Sequence, residues 1–128
     1  MSAGQDGARI VVTARGSGLD SPVDPRLGRA SHFLLVEVAS GELVEAVDNG
    51  AGVAAMQGAG VQAAETIARL GAAAVVTGHC GPKAFRALSA AGVEIYTGAE
   101  GTVAEAVQSF RDGQLDRADG ADVHGHWA

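Results

Sequence analysis

His79 and Cys80 are adjacent residues whose imidazole and thiol groups could bind a soft metal or attack an electrophile. Cys80 is the only cysteine, so no internal disulfide can form and a reducing compartment is the simplest inference. The alternative is that Cys80 is a small, inert, half-buried residue at the end of a strand. Adjacent side chains seldom point the same way and no CxxC or HxxxH motif is present, so the spacing alone does not establish a metal site.

The residues around this pair predict a strand, a short link and a helix. Residues 72–76 form a continuous apolar run, typical of a strand buried on both faces. Pro82 suits the first turn of a helix, so residues 77–81 join the carboxyl end of a strand to the amino end of a helix. Open α/β sheets bind ligands at this place. The helix dipole and Lys83 are expected to favour the thiolate of Cys80.

A second group of candidates carries positive charge or backbone N–H groups that would support an anionic ligand. Its members are Arg15, Arg26, Arg29, Lys83, Gly78 and Gly81. The three arginines lie in residues 15–31, a loop long enough to be functional or mobile. If the first strand runs parallel to the central strand, this loop leaves the sheet at the same edge as residues 78–81, and the cations could cradle an anion. The alternative is a set of solvated arginines.

Four further residues are weaker candidate ligands, namely Met56, His32, His124 and His126. A methionine in a loop is more often packed against a neighbour than bound to a metal. His32 precedes a strand and has a capping or packing role as its alternative. The other two histidines belong to the C-terminal tail, where exposed histidines often have no role.

The composition predicts a single α/β domain. The chain has 128 residues, of which 47% are hydrophobic, with 19 glycines and a net charge of −6. This content argues against disorder, and the negative charge argues against general binding to nucleic acid or to an anionic membrane. Neither a signal peptide nor a transmembrane segment is recognisable, so we expect a cytoplasmic protein.

Hydrophobic periodicity predicts one mixed sheet of five strands flanked by helices. The strands are expected at residues 9–14, 32–38, 43–47, 72–76 and 93–96. Helices are expected at residues 61–70 and 82–91, and at residues 102–112, where residues 102–105 form a capping box that opens the helix. Residues 1–8 and 113–128 are expected to be flexible ends of a domain that spans 9–112.

Common catalytic motifs are absent or incomplete. Residues 58–63 match the G-x-G-x-x-A dinucleotide fingerprint, but no clear strand precedes them and no acidic residue stands where a ribose partner is expected. Residues 9–14 carry no carboxylate for the two Mg²⁺ ions of a ribonuclease H-type nuclease. We therefore predict that the protein is not an enzyme. A thiol-dependent enzyme using Cys80 is the alternative, against which a thiol pKa near or above ~8.5 would count.

Three segments of the chain form a recognisable set, namely residues 23–36, which include VDPRLGRA, residues 58–64, GAGVQAA, and residues 77–85, TGHCGPKAF. Together they resemble the dinitrogenase iron–molybdenum cofactor biosynthesis family. The resemblance covers residues 9–112 and is to the NifX/NafY-type domain, also found at the C-terminus of NifB and in small orange-protein-like chains. It implies a ribonuclease H-like fold without nuclease activity, and binding or carriage of an iron–sulfur, iron–molybdenum or related metal–sulfur cluster. Cys80 occupies a position where many members have an apolar residue.

Residues and resemblance together predict a small carrier or chaperone of an anionic metal–sulfur cluster, of a kind related to nitrogen fixation. Cys80 and His79 would be direct ligands, and the cationic group would give electrostatic support. A cluster-synthesis or acceptor protein is the expected partner. The alternative is a metal-free protein-interaction or regulatory module of the same fold.

Overall fold

The computed structural model describes residues 8–50 and 59–118, which form one mixed sheet with helices on both faces. The strands are β1 (Arg9–Ala14), β2 (His32–Glu37), β3 (Leu43–Asp48), β4 (Ala74–Val76), β5 (Glu94–Thr97) and β6 (Asp116–Arg117). The helices within these ranges are α1 (Ala59–Arg69), α2 (Pro82–Ala90) and α3 (Val103–Arg111). Each of them is too short or too polar to span a lipid bilayer.

The order of strands across the sheet is β3-β2-β1-β4-β5-β6. β1 pairs antiparallel with β2 on one side and parallel with β4 on the other, where Val11 lies opposite Val75. β4 and β5 are also parallel, so β1, β4 and β5 all end at the same edge of the sheet. The first strand was required to run parallel to the central strand for the loop after it to lie beside residues 77–81. The parallel pairing of β1 with β4 confirms this condition.

Two hydrophobic cores lie on opposite faces of the sheet because strand side chains alternate between the faces. Val11 and Val75 belong to the core beneath α1 and α2, whereas Ile10 and Val12 belong to the core beneath α3. Each of these four residues is at most 1% exposed. Burial of one such side chain contributes roughly 1.5–3 kcal/mol, so both layers stabilise the central strands.

The predicted capping box of the last helix is confirmed. The hydroxyl of Thr102 accepts a hydrogen bond from the backbone N–H of Glu105, at 3.2 Å. The Glu105 carboxylate in turn accepts one from the Thr102 N–H, at 2.8 Å. These two bonds satisfy backbone donors that a helix start would otherwise leave unpaired.

The predicted number of five strands is wrong, because a sixth strand follows the last helix. β6 pairs antiparallel with β5, and the N–H of Ala118 donates to the Ile95 carbonyl at 2.8 Å. A strand of two residues shows no hydrophobic alternation, and its pairing depends on the neighbouring strand. The ribonuclease H-like assignment stays a prediction, as do the domain limits.

Candidate functional site

Residues 15–31 form a loop that two parts of the domain hold in place. The Asp24 N–H donates to the Thr13 carbonyl at 2.9 Å, and the Thr13 hydroxyl donates to the Asp24 carbonyl at 2.7 Å. On the other side, the first amide of α3, that of Val103, donates to the Ser21 carbonyl at 2.9 Å. Contacts with the sheet and with α3 therefore fix the path of this loop.

Two buried hydroxyls tie the loop to the end of β4. The Oγ1 atoms of Thr13 and Thr77 are 2.8 Å apart and both residues are fully buried. Because the Thr13 proton is directed at the Asp24 carbonyl, Thr77 is the donor in this pair. Asp24 is a buried residue, 6% exposed, and its carboxylate accepts a hydrogen bond from the N–H of Arg26 at 3.0 Å. This network fixes the backbone from which the Arg26 side chain extends.

The loop and the link 77–81 cross at Gly78. Arg26 and His79 form an isolated parallel β-bridge, which brings the two segments together as predicted. A Cβ atom added to Gly78 would lie 2.7 Å from the Cα of Pro25 and 3.0 Å from its carbonyl oxygen. Backbone atoms cannot approach a side chain so closely, so this crossing requires glycine.

The loop, the link and the starts of α1 and α2 enclose a cleft of about 440 Å³. Its basic lining residues are Arg26, Arg29, His79 and Lys83, and its smallest are Gly28, Gly60 and Gly81. None of the described lining residues carries a carboxylate, although the chain has a net charge of −6. Basic groups concentrated in one cleft produce a local positive potential that attracts anions.

The amino ends of two helices border this cleft and add to its positive potential. A Cβ atom added to Gly60, in the first turn of α1, would lie 3.2 Å from the Cβ of Ala84 in α2, so the helices pack closely here. Gly81 is the N-cap of α2, and as a glycine it has no side chain that could cap the helix. A Cβ atom there would meet nothing within 4 Å, so Gly81 faces open space.

Cys80 lies in the core beneath α1 and α2 and is only 1% exposed. Its thiol is 3.5 Å from the Gly81 carbonyl oxygen, to which it donates. Burial raises the pKa of the Cys80 thiol from 9.0 to about 11. The predicted stabilisation of the thiolate is therefore wrong, because loss of solvent outweighs the helix dipole and Lys83. A raised pKa also counts against the thiol-dependent enzyme.

Native Cys80 is expected to react with iodoacetamide at pH 8 at least about 100-fold more slowly than the urea-unfolded chain. A thiol of pKa about 11 is roughly 0.1% ionised at this pH, against roughly 10% for the unfolded thiol. The native rate should keep rising as the pH approaches 11. Mass spectrometry of quenched samples measures both rates, and equal rates would contradict the burial of the thiol.

The structure brings together only some of the predicted site residues. Arg15 is exposed after β1 and does not line the cleft. His32 begins β2, where its Nδ1 is 3.1 Å from the Ser31 hydroxyl, in agreement with a packing role. The predicted ligands Met56, His124 and His126 lie outside the described residues.

The described ranges contain no cluster of three or more His, Cys, Asp or Glu residues that could hold a metal ion. A second cavity, of about 630 Å³, lies beside α2 and β5 and contains none of the predicted site residues. The Thr13–Thr77 pair that supports the cleft was not predicted from the sequence. A polar residue at the end of each apolar strand run was the available signal.

Residues 8–113 match the protein family described as dinitrogenase iron-molybdenum cofactor. Since the match covers most of the 128 residues, the chain belongs to this family. The resemblance seen in the sequence is therefore confirmed.

Three proteins illustrate the similarity. The apo form of the orange protein from Desulfovibrio gigas is 50% identical in sequence and has a TM-score of 0.83, with coverage of 88% of this chain and 93% of that one. A NifB-like protein from Thermotoga is 33% identical with a TM-score of 0.74, over 86% and 92% of the two chains. An uncharacterized protein of Methanocaldococcus jannaschii is 30% identical over 97 residues, which are 74% of this chain and 81% of its own.

Proposed function

We propose that the protein binds and carries an anionic metal–sulfur cluster in the cleft, without catalysing a reaction on it. The observation that carries this proposal is the convergence of Arg26, Arg29, His79 and Lys83 on one cleft of an acidic protein. Membership of a family described by the iron–molybdenum cofactor supports a metal–sulfur cargo. We also propose a cytoplasmic location, and transfer of the cluster from a synthesis protein or to an acceptor protein.

In this proposal, electrostatic attraction contributes more to holding the cluster than direct coordination by side chains does. His79 is exposed and lines the cleft, so its imidazole can reach a cargo without rearrangement. Arg26, Arg29 and Lys83 would neutralise the cluster charge. Ligation by Cys80 is a more demanding form of the proposal. It requires the thiol to leave the core and to lose a proton, and the pKa of this thiol is about 11.

A metal-free interaction module is the second candidate. One observation favours it, namely that the described residues include no group of three or more metal-ligating side chains. A positive cleft would then bind an acidic partner, and the cargo test below separates the two functions.

The test is anaerobic loading of the purified protein, with ferrous iron and sulfide in one arm and molybdate and sulfide in the other. After desalting, the visible spectrum and elemental analysis for Fe, Mo, Cu and S give the cargo retained. We expect a charge-transfer band and stoichiometric metal, and we expect His79→Ala to retain several-fold less. Colourless protein in both arms would reject the carrier and leave the interaction module.

Cys80→Ala separates the two forms of the carrier proposal. If the thiol stays in the core, this variant should retain as much metal as the unaltered chain. Loss of the metal band in Cys80→Ala, with an unchanged circular dichroism spectrum, would establish Cys80 as a ligand.

A further inference from the structure

β3 is an edge of the sheet, and no described strand pairs with its outer side. The three residues at its middle, Val44, Glu45 and Ala46, are all exposed, with Val44 at 42%. The opposite edge, β6, is only two residues long and offers little backbone for pairing. Long exposed edge strands are templates for the addition of another strand.

The hydrogen-bond pattern of β3 shows which backbone groups point outward. The Asn49 N–H donates to the Ser31 carbonyl at 2.8 Å, in register with the pairing of β2 and β3. Hydrogen-bonded positions alternate with positions that face away in an antiparallel pair. The N–H and C=O groups of Ala46 and Asp48 therefore point away from β2, toward solvent.

The side chains around this edge indicate the charge of a suitable partner. Residues 30–68 contain no lysine or arginine, and the exposed carboxylates of Glu42, Glu45 and Asp48 border β3. None of the three forms an ion pair with a described residue. The Arg111 side chain donates to the Ala39 carbonyl in the turn before β3, at 3.4 Å. Pairing with a second copy would bring like charges together, whereas a basic strand would meet opposite charges.

We propose that β3 is the docking edge for an extended, basic segment of a partner protein, which pairs with it as one further strand. Backbone bonds to Ala46 and Asp48 would give affinity, and the carboxylates of Glu45 and Asp48, on opposite faces of the strand, would select lysine or arginine side chains on either face. This surface is separate from the cleft and needs no cluster. Because β3 runs parallel to β1, the carboxyl end of β3 lies on the side of the sheet where β1 and β4 end and where the cleft is found.

The test is a titration of ¹⁵N-labelled apo-protein with a synthetic peptide of alternating lysine and valine, followed by NMR. We expect shifts along residues 43–48 and at least about tenfold slower hydrogen exchange at the outward amide of Ala46. A peptide of alternating glutamate and valine is the control and should not bind. Glu45→Lys should weaken lysine-peptide binding several-fold, whereas Glu65→Lys, the same charge change on α1, should leave it unchanged.

Three results of the peptide titration would overturn the proposal. They are equal binding of the two peptides, equal losses in Glu45→Lys and Glu65→Lys, and shifts confined to the cleft around His79. Concentration-dependent sedimentation of the peptide-free protein, abolished by Glu45→Pro, would assign the edge to a second copy instead. Because no metal is present in the assay, none of these results depends on whether the cleft carries a cluster.

Discussion

The double variant Arg26→Glu, Lys83→Glu is expected to lose at least about 100-fold in affinity for an anionic cluster. The two residues stand on different segments that border the same cleft. Two unit charges about 7 Å apart interact by about 1 kcal/mol at an effective dielectric constant of about 40. Reversing two charges next to an anion changes several such interactions from attractive to repulsive. Titration of apo-protein with cluster, followed in the visible spectrum, measures the loss.

The matched control for this variant is Arg15→Glu, Arg86→Glu. It makes the same change in net charge on the same loop and the same helix, but neither residue lines the cleft. We expect it to retain most of the affinity at physiological salt, where screening is strong beyond about 8 Å. Equal losses in the two double variants would mean that overall charge, and not the cleft, holds the cargo.

Gly78→Ala is expected to destabilise the fold by about 3 kcal/mol and to lower cluster retention. The added methyl group would collide with the Cα and the carbonyl oxygen of Pro25, at 2.7 and 3.0 Å. Backbone atoms cannot turn aside as a flexible side chain can, so the loop must shift. That shift would separate Arg26 from His79, which the isolated bridge holds together. Urea unfolding followed by circular dichroism gives the change in stability.

Gly81→Ala is the control for Gly78→Ala. It adds the same methyl group three residues along the same link, where no atom lies within 4 Å and φ is −74°. We expect a loss of no more than about 1 kcal/mol, the cost of replacing an N-cap glycine by alanine. Equal unfolding midpoints for the two variants would contradict the close crossing at Gly78.

The sequence predicted the elements whose signal is local. The apolar run of β1 and the capping box at Thr102 each depend on neighbouring residues, and both are confirmed. β6 could not be predicted, because two residues carry no periodicity. The pKa of Cys80 could not be predicted either, since its burial depends on helices whose packing is set by tertiary contacts.

The sequence predicted which residues form the candidate site better than it predicted how they are arranged. Parallel first and central strands would end at the same edge of the sheet, and this correctly predicted that the segments of Arg26 and His79 lie together. The exclusion of Arg15 from the cleft follows from the path of its loop, which the Thr13–Thr77 bond helps to fix. That bond joins residues 64 positions apart, and no local pattern in the sequence encodes such a contact.

The placement of α3 on the face of the sheet opposite α1 and α2 has a practical consequence. Gln108 is exposed on α3, and Cys80, the only native thiol, is buried. A Gln108→Cys variant would therefore accept a maleimide reagent at one position. Coupled to an electrode or a gold film through that position, the protein would present its cleft to the bulk solution. The domain could then serve as an oriented sensor layer for the cluster that we propose it carries.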